Sequence, residues 1–294
     1  MNTRKLISII SLSSLLLVAL ASAACGSAPA ATPAPFSMSA TLDKYLSNLP
    51  DGWGAITPAA LNEQLSTAKP FLVDVRETKE VADAGYIAGA INIPIRTFIQ
   101  NLDKLPARDQ SIVVTCGSGH RSALAMTALQ LLGYTKVQSL AGGLGPWKTA
   151  NLPVATGTPP AAKAGPAPEA DKDLLAALDK YFSALPDGWG TLAPAALNEM
   201  LKTTQPFQLD VRETKEVAEG GFIAGATNIP IRTLVKNLDK LPPDQGAPVI
   251  VECSSGHRSA VVMMALNLLG YTNTRSLAGG FAAWTKAGLP ASKP

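Results

Sequence analysis

Two cysteines of this chain stand in the same setting, and that setting suits a reactive thiol. Cys116 follows the apolar run Ile112-Val113-Val114 and begins the loop Cys-Gly-Ser-Gly-His-Arg-Ser at 116–122; Cys253 follows Val249-Ile250-Val251 and begins Cys-Ser-Ser-Gly-His-Arg-Ser at 253–259. Arg121 and Arg258 then open helices, the first carrying Ala123, Leu124, Met126 and Leu129. A strand that runs through such a loop into a helix can turn several backbone N–H groups inward and aim the helix N-terminus at the loop centre, which favours a thiolate or a bound oxyanion. The residues therefore read as a nucleophilic thiol in an anion cradle, against the alternative of a buried cysteine acting as a small hydrophobe.

Other cysteine chemistry fits less well. Each loop has one Cys and one His, and His120 and His257 are the chain's only histidines, short of the three or four ligands that zinc takes, so no metal is expected. A structural disulfide between Cys116 and Cys253 would need equivalent positions of two separate domains to meet mouth to mouth.

The elements around these loops are also duplicated. Residues 42–153 recur at about 178–290, with an offset of 136 that becomes 137 after one inserted residue; Asp-Val-Arg-Glu-Thr-Lys-Glu-Val-Ala stands at 74–82 and again at 210–218. A repeat of roughly 110 residues is far above a solenoid period and large enough to bury its own core. The composition, 47% apolar and 16% charged, suits two compact globular units, each expected to fold alone. The net charge of +3 includes Arg4 and Lys5 in a removable segment, leaving about +1, so nucleic acid is not an expected partner.

Within a copy, strand and helix alternate. Pro58 starts a short helix with Leu61 and Leu65; Phe71–Val75 reads as a buried strand, Thr78–Ala84 as a helical turn and Ala90–Ile93 as a short strand. Arg96–Leu105 reads as a helix, Ser111–Thr115 as the central strand, Arg121–Leu132 as a helix and Val137–Leu140 as a strand, before a segment around Trp147. This order predicts an α/β fold with a mostly parallel sheet covered by helices on both faces and sites at the carboxyl ends of its strands. Each copy is preceded by a helix, capped by Ser39 in the first and by Asp171 or Asp173 in the second, that runs into Leu-Pro-Asp-Gly-Trp-Gly at 49–54 and 185–190. Trp53 and Trp189 are expected to pack within these turns.

The N-terminus has the pattern of an export signal, with Arg4 and Lys5, an apolar run Leu6–Leu20 and small residues at 21–24. Leu20-Ala21-Ser22-Ala23-Ala24-Cys25 and the Ala/Pro/Thr-rich stretch after it resemble the signal and stalk of bacterial lipoproteins, although Ser22 stands where that group has Leu or Val. The expected organisation is a signal peptide at 1–24, a tether at 25–40, domain 1 at 41–153, a flexible or semi-extended Pro/Ala/Gly-rich linker at 154–170 and domain 2 at 171–294. Cys25 is the candidate lipidation site, placing the protein on the outer face of a bacterial membrane; soluble secretion is the alternative.

Each copy resembles a rhodanese domain, the sulfurtransferase fold. The resemblance rests on Phe71–Arg76, Gly85–Pro94, Cys116–Ser122 and Leu140–Gly143 with Trp147, and on Leu209–Arg212, Gly221–Pro230, Cys253–Ser259 and Leu277–Gly280 with Trp284. Tyr86 and Phe222 depart from the family's usual histidine. The resemblance implies that Cys116 and Cys253 carry sulfane sulfur as a persulfide, with no other cofactor. The backbone of Gly117, Ser118, Gly119 and His120, and of Ser254, Ser255, Gly256 and His257, would form the cradle. Arg121 and Arg258 would be loop-end cations, and Asp74 with Arg76 and Asp210 with Arg212 strand-end scaffold pairs. Related phosphatases place Arg six residues after Cys; here the spacing is five, which favours sulfur over a phosphate ester. Both copies keep Cys, Gly and Arg, whereas most two-domain relatives keep only the second Cys.

His120 and His257 are open to two readings, an imidazole near its ordinary pKa at the mouth or a solvated rim residue. The expected function is sulfur transfer from a small sulfur-containing anion such as thiosulfate to cyanide, a thiol or a protein acceptor. The alternatives are a sulfur-carrier or redox-sensing binding module and a catalytically silent envelope interaction domain.

Overall fold

The computed structural model describes residues 36–165 and 167–293. The signal segment, Cys25 and most of the expected tether lie outside the described residues. The first helix, α1 (Met38–Ser47), is capped by Ser37, whose hydroxyl accepts the Ala40 N–H. Ser39, the expected cap, already lies in the first turn.

The first copy continues through β1 (Ala55–Ile56), α2 (Pro58–Ser66), β2 (Phe71–Asp74), α3 (Thr78–Ala84), β3 (Ile91–Asn92), β4 (Ile112–Thr115), α4 (His120–Leu131), β5 (Val137–Leu140) and α5 (Leu144–Thr149). Its five strands pair in parallel in the order β1-β5-β4-β2-β3. All four residues of β4 are buried, as a central strand covered on both faces requires. The expected helix at 96–105 is instead two 3₁₀ segments, Ile95–Thr97 and Ile99–Lys104, the second interrupted at Asn101.

The second copy runs through α6 (Lys172–Ser183), β6 (Thr191–Leu192), α7 (Pro194–Thr203), β7 (Phe207–Asp210), α8 (Thr214–Gly220), β8 (Thr227–Asn228), β9 (Val249–Glu252), α9 (His257–Leu268), β10 (Thr274–Leu277) and α10 (Gly280–Lys286). Its sheet repeats the order as β6-β10-β9-β7-β8. Asp171 caps α6, accepting from the N–H groups of Asp173 and Leu174.

The two copies are fused rather than merely linked. The α4 helix is buried at every position from His120 to Leu129, and one apolar face of an isolated domain could not bury it all round. It packs against α9, and residues of both copies, among them Leu124, Met126, Val261 and Met264, belong to one continuous core. Separate cores around Trp147 and Trp284 lie on the outer faces of the two sheets.

The leading helices are exchanged. The α1 helix packs on the 3₁₀ segment Ile231–Lys240 of the second copy, and α6 packs on Ile95–Thr97 and Ile99–Lys104 of the first. Phe182 of α6 meets Phe98 with ring centroids 6.2 Å apart.

The expected freedom of the linker is also corrected. Tyr86 and Ala155 exchange backbone hydrogen bonds of 2.9 and 2.8 Å, the Tyr86 hydroxyl donates to the Thr158 carbonyl, and the Gly165 N–H donates to Asp103. The chain is held along the first copy because its backbone groups find partners there.

Candidate active site

The strand β4 delivers Cys116 to the carboxyl end of its sheet, and β9 does the same for Cys253. Both thiols are free and buried. Cys116 Sγ receives the Gly119 N–H at 3.1 Å and the Ser122 N–H at 3.4 Å, with Ser122 Oγ also at 3.4 Å. Cys253 Sγ receives the Gly256 and Ser259 N–H groups at 3.1 and 3.4 Å. Backbone donors aimed at sulfur are the feature that stabilises negative charge there.

The outside of each loop is clamped so that these donors stay inward. Leu144 N–H donates to the Cys116 carbonyl at 2.8 Å and Phe281 N–H to the Cys253 carbonyl at 2.7 Å. This closeness depends on Gly143 and Gly280, at φ +65° and +60°; a Cβ on either would stand 2.3 Å from the cysteine carbonyl oxygen.

Arg121 and Arg258 sit at the ends of the loops, but neither is a free cation. Arg121 makes a two-pronged ion pair with Glu80 at 2.6 and 2.7 Å, and Arg258 one with Glu216 at 2.5 and 2.6 Å. Each glutamate also caps its own helix, accepting from the N–H of Glu77 or Glu213. The guanidinium beside Glu216 draws its carboxyl down to about 2, and Arg121 lowers that of Glu80. Sequence reasoning missed both glutamates, although Glu77-x-x-Glu80 is a visible capping pattern inside the most obvious repeat. In the second copy Ser254 joins the pair, donating to Glu216 at 2.9 Å and accepting from Arg258; Gly117 leaves that link absent in the first.

The pairs Asp74–Arg76 and Asp210–Arg212 are strand-end braces. The Arg76 guanidinium is bound by Asp74 and reaches the Gly85 carbonyl at 2.6 Å, and Arg212 reaches Gly221 in the same way. Neither pair touches a thiol.

Both expectations for the histidines are corrected. His120 Nε2–H donates to the backbone carbonyl of Trp189, in the other copy, at 2.9 Å. Burial, with the Trp189 carbonyl opposing it and Arg121 adding to it, lowers His120 to about 4. Burial, then Arg258 and His120, lower His257 to about 4 as well. Both imidazoles are therefore neutral at pH 7. They border a cavity of about 310 Å³ lined by Ser118 and Gly119 of one loop and Ser255 and Gly256 of the other.

The turns expected to pack within their own copies reach across. The indole of Trp189 lies over the guanidinium of Arg121, and Trp53 meets the His257 ring edge-on at 5.5 Å. Arg96 and Arg232, also overlooked, hold the opposite turns through Asp187 at 3.1 Å and Asp51 at 2.7 Å. Glu252, next to Cys253, is buried without a partner for either oxygen; burial and neighbouring Asp210 push its carboxyl up to about 8. The first copy has Thr115 there.

A parallel α/β domain, present twice, that cradles a cysteine in backbone donors at the carboxyl end of its central strand defines a class of thiol-based group-transfer folds. Residues 57–150 and 193–287 match the model of the rhodanese-like domain, and the chain belongs to the rhodanese-like family. It is similar to a sulfurtransferase of Allochromatium vinosum, 33% identical over 34% of this chain and 92% of that protein. A thiosulfate sulfurtransferase of Azotobacter vinelandii is 25% identical over 78% of this chain and 93% of its own length. An uncharacterized protein of Synechocystis is 33% identical over 35% of this chain, which spans 56% of that relative. Among solved structures, SseA from Escherichia coli, a 3-mercaptopyruvate sulfotransferase, aligns with a TM-score of 0.39 at 20% identity, covering 78% of this chain and 99% of that one.

Proposed function

We propose that this protein transfers sulfane sulfur from a small donor such as thiosulfate to cyanide or a thiol through a persulfide on Cys116 or Cys253. The observation that carries the reading is the pair of backbone N–H groups aimed at each Sγ. The thiolate attacks the outer sulfur of thiosulfate, the S–S bond breaks, and sulfite leaves with the bonding electrons. The acceptor then attacks the outer sulfur of the persulfide; cyanide leaves as thiocyanate and the cysteine thiolate is regenerated. Because Glu80 and Glu216 match the charges of Arg121 and Arg258, the loop amides rather than the guanidiniums hold the developing negative charge.

Lipid on Cys25 would place these sites on the outer face of a bacterial membrane, a reading supported by the signal-like sequence alone. Thiosulfate:cyanide turnover that is lost in the Cys116→Ala/Cys253→Ala double variant tests the enzymatic reading. A stable gain of one sulfur atom in mass with negligible turnover would favour the carrier instead.

A further inference from the structure

The two loops have the same donors, yet their mouths differ. Beside the Cys253 loop is a cavity of about 350 Å³ lined by Glu216, Arg232, Ser255 and Arg258, and closed on its far side by the turn containing Asp51 and Trp53. Beside the Cys116 loop a cavity of about 430 Å³ opens past Glu80, Gly117 and Leu144, but on the side equivalent to the Cys253 cavity the guanidiniums are covered by an indole: the Trp189 ring centroid lies 4.4 Å from Arg96 Cζ and 4.5 Å from Arg121 Cζ. Trp53 is held elsewhere. Its Nε1–H donates to Gln130 Oε1 at 3.0 Å, and the Tyr45 hydroxyl donates to the same oxygen at 2.6 Å.

One substitution between the repeats accounts for the difference. The position of Gln130 is Asn267 in the second copy. The shorter amide turns back and donates to the Met263 carbonyl of its own helix at 2.8 Å. The hydroxyl of Tyr181, the half-buried counterpart of Tyr45, is consequently buried without a partner. Without a glutamine to bind, the Trp189 indole swings onto the two guanidiniums, where cation–π attraction holds it. The backbone at Trp189 takes a left-handed φ of +60°, a conformation that costs a bulky residue free energy and persists only when surrounding contacts enforce it.

We propose that Trp189 is a gate over the Cys116 site, set by the Gln130/Asn267 difference, and that Cys253 is the thiol that meets small sulfur donors first. The part of this concerning donors rests on the sulfur-transfer reading; the gate does not.

Iodoacetamide labelling of the full chain, followed by peptide mass spectrometry, measures access to each thiol without any sulfur chemistry. Cys253 is expected to label about tenfold faster than Cys116, a ratio that needs only a modest bias between open and closed states. Trp189→Ala should raise the Cys116 rate to near that of Cys253. Asn267→Gln, which alters neither loop, should do the same by giving Trp189 its missing partner, and Gln130→Asn should slow Cys253. Equal labelling in the unaltered protein overturns the gate, as does an inequality that neither Trp189→Ala nor Asn267→Gln moves. Site-resolved persulfide loading from thiosulfate is run in parallel. Unequal labelling that responds to these variants, with no loading at either thiol, supports the gate while overturning the donor assignment; rapid loading with equal labelling preserves sulfur transfer and overturns the gate.

Discussion

His120 of one copy donates its Nε2–H to the backbone carbonyl of Trp189 in the other, at 2.9 Å. A carbonyl can only accept, so this bond fixes the tautomer, while burial in the seam between the two loops keeps the ring neutral against the carbonyl's pull.

Stability should therefore peak near pH 6.5. His120 and His257 titrate at about 4 in the folded chain, below the ordinary value of about 6.5. The unfolded chain binds more protons between those values, and stability falls as pH drops through them. Glu252 works in the opposite sense. Its folded value of about 8 means that the native state keeps a proton that the unfolded state releases above about 4.5, costing about 1.4 kcal/mol per pH unit up to pH 8. Urea unfolding between pH 5 and pH 9 should show both limbs, and Glu252→Gln should flatten the alkaline limb and steepen the acid one.

Phe182→Ala should destabilise the whole molecule by about 3–5 kcal/mol, because its ring is fully buried against Phe98 of the first copy in the shared core. Chemical denaturation should show one cooperative transition for both copies. Residues 171–294 alone should fail to unfold cooperatively, since they lack α1 and leave α9 uncovered. Two separate transitions in the full chain would count against a fused core.

Glu80→Gln or Glu216→Gln should lower sulfur loading at the thiol of the same copy and cost about 1–3 kcal/mol, because each leaves a largely buried guanidinium without its carboxylate. Arg121→Lys should not substitute well, since an ammonium cannot reproduce the two-pronged pair. Site-resolved loading together with thermal unfolding separates the local effect from the global one.

Gly143→Ala should impair Cys116 alone, and Gly280→Ala Cys253 alone. In each case the added methyl collides with the carbonyl of the cysteine and tilts the loop donors away from sulfur. Peptide-level persulfide measurements check this. Loss at both thiols from either substitution would show that the loops do not respond separately.

Cys25→Ser should release the protein from the membrane fraction if the lipid anchor is real. Recovery of the unaltered protein in the soluble fraction, with an unmodified Cys25, would identify an ordinary secretion signal.

The repeat, the parallel α/β order and the two cradles were legible in the sequence because they depend on local signals: apolar strands, a glycine at the helix start, and one cysteine at a constant offset. The braces of Asp74 with Arg76 and of Asp210 with Arg212 were legible for the same reason, their partners being two residues apart. What tertiary structure decided lies between the copies. The α4 sequence is apolar on every face, a sign of burial all round, but nothing local says that the covering surface is α9. Likewise the Trp-Gly turns carry no local mark of their targets, and only the exchange of α1 and α6 brings Trp53 to His257 and Trp189 to Arg121. Long-range packing set the charge states as well. His120 and His257 are neutral because the seam between the copies removes them from water, and Glu252 holds its proton because it is buried beside Asp210 within the second copy.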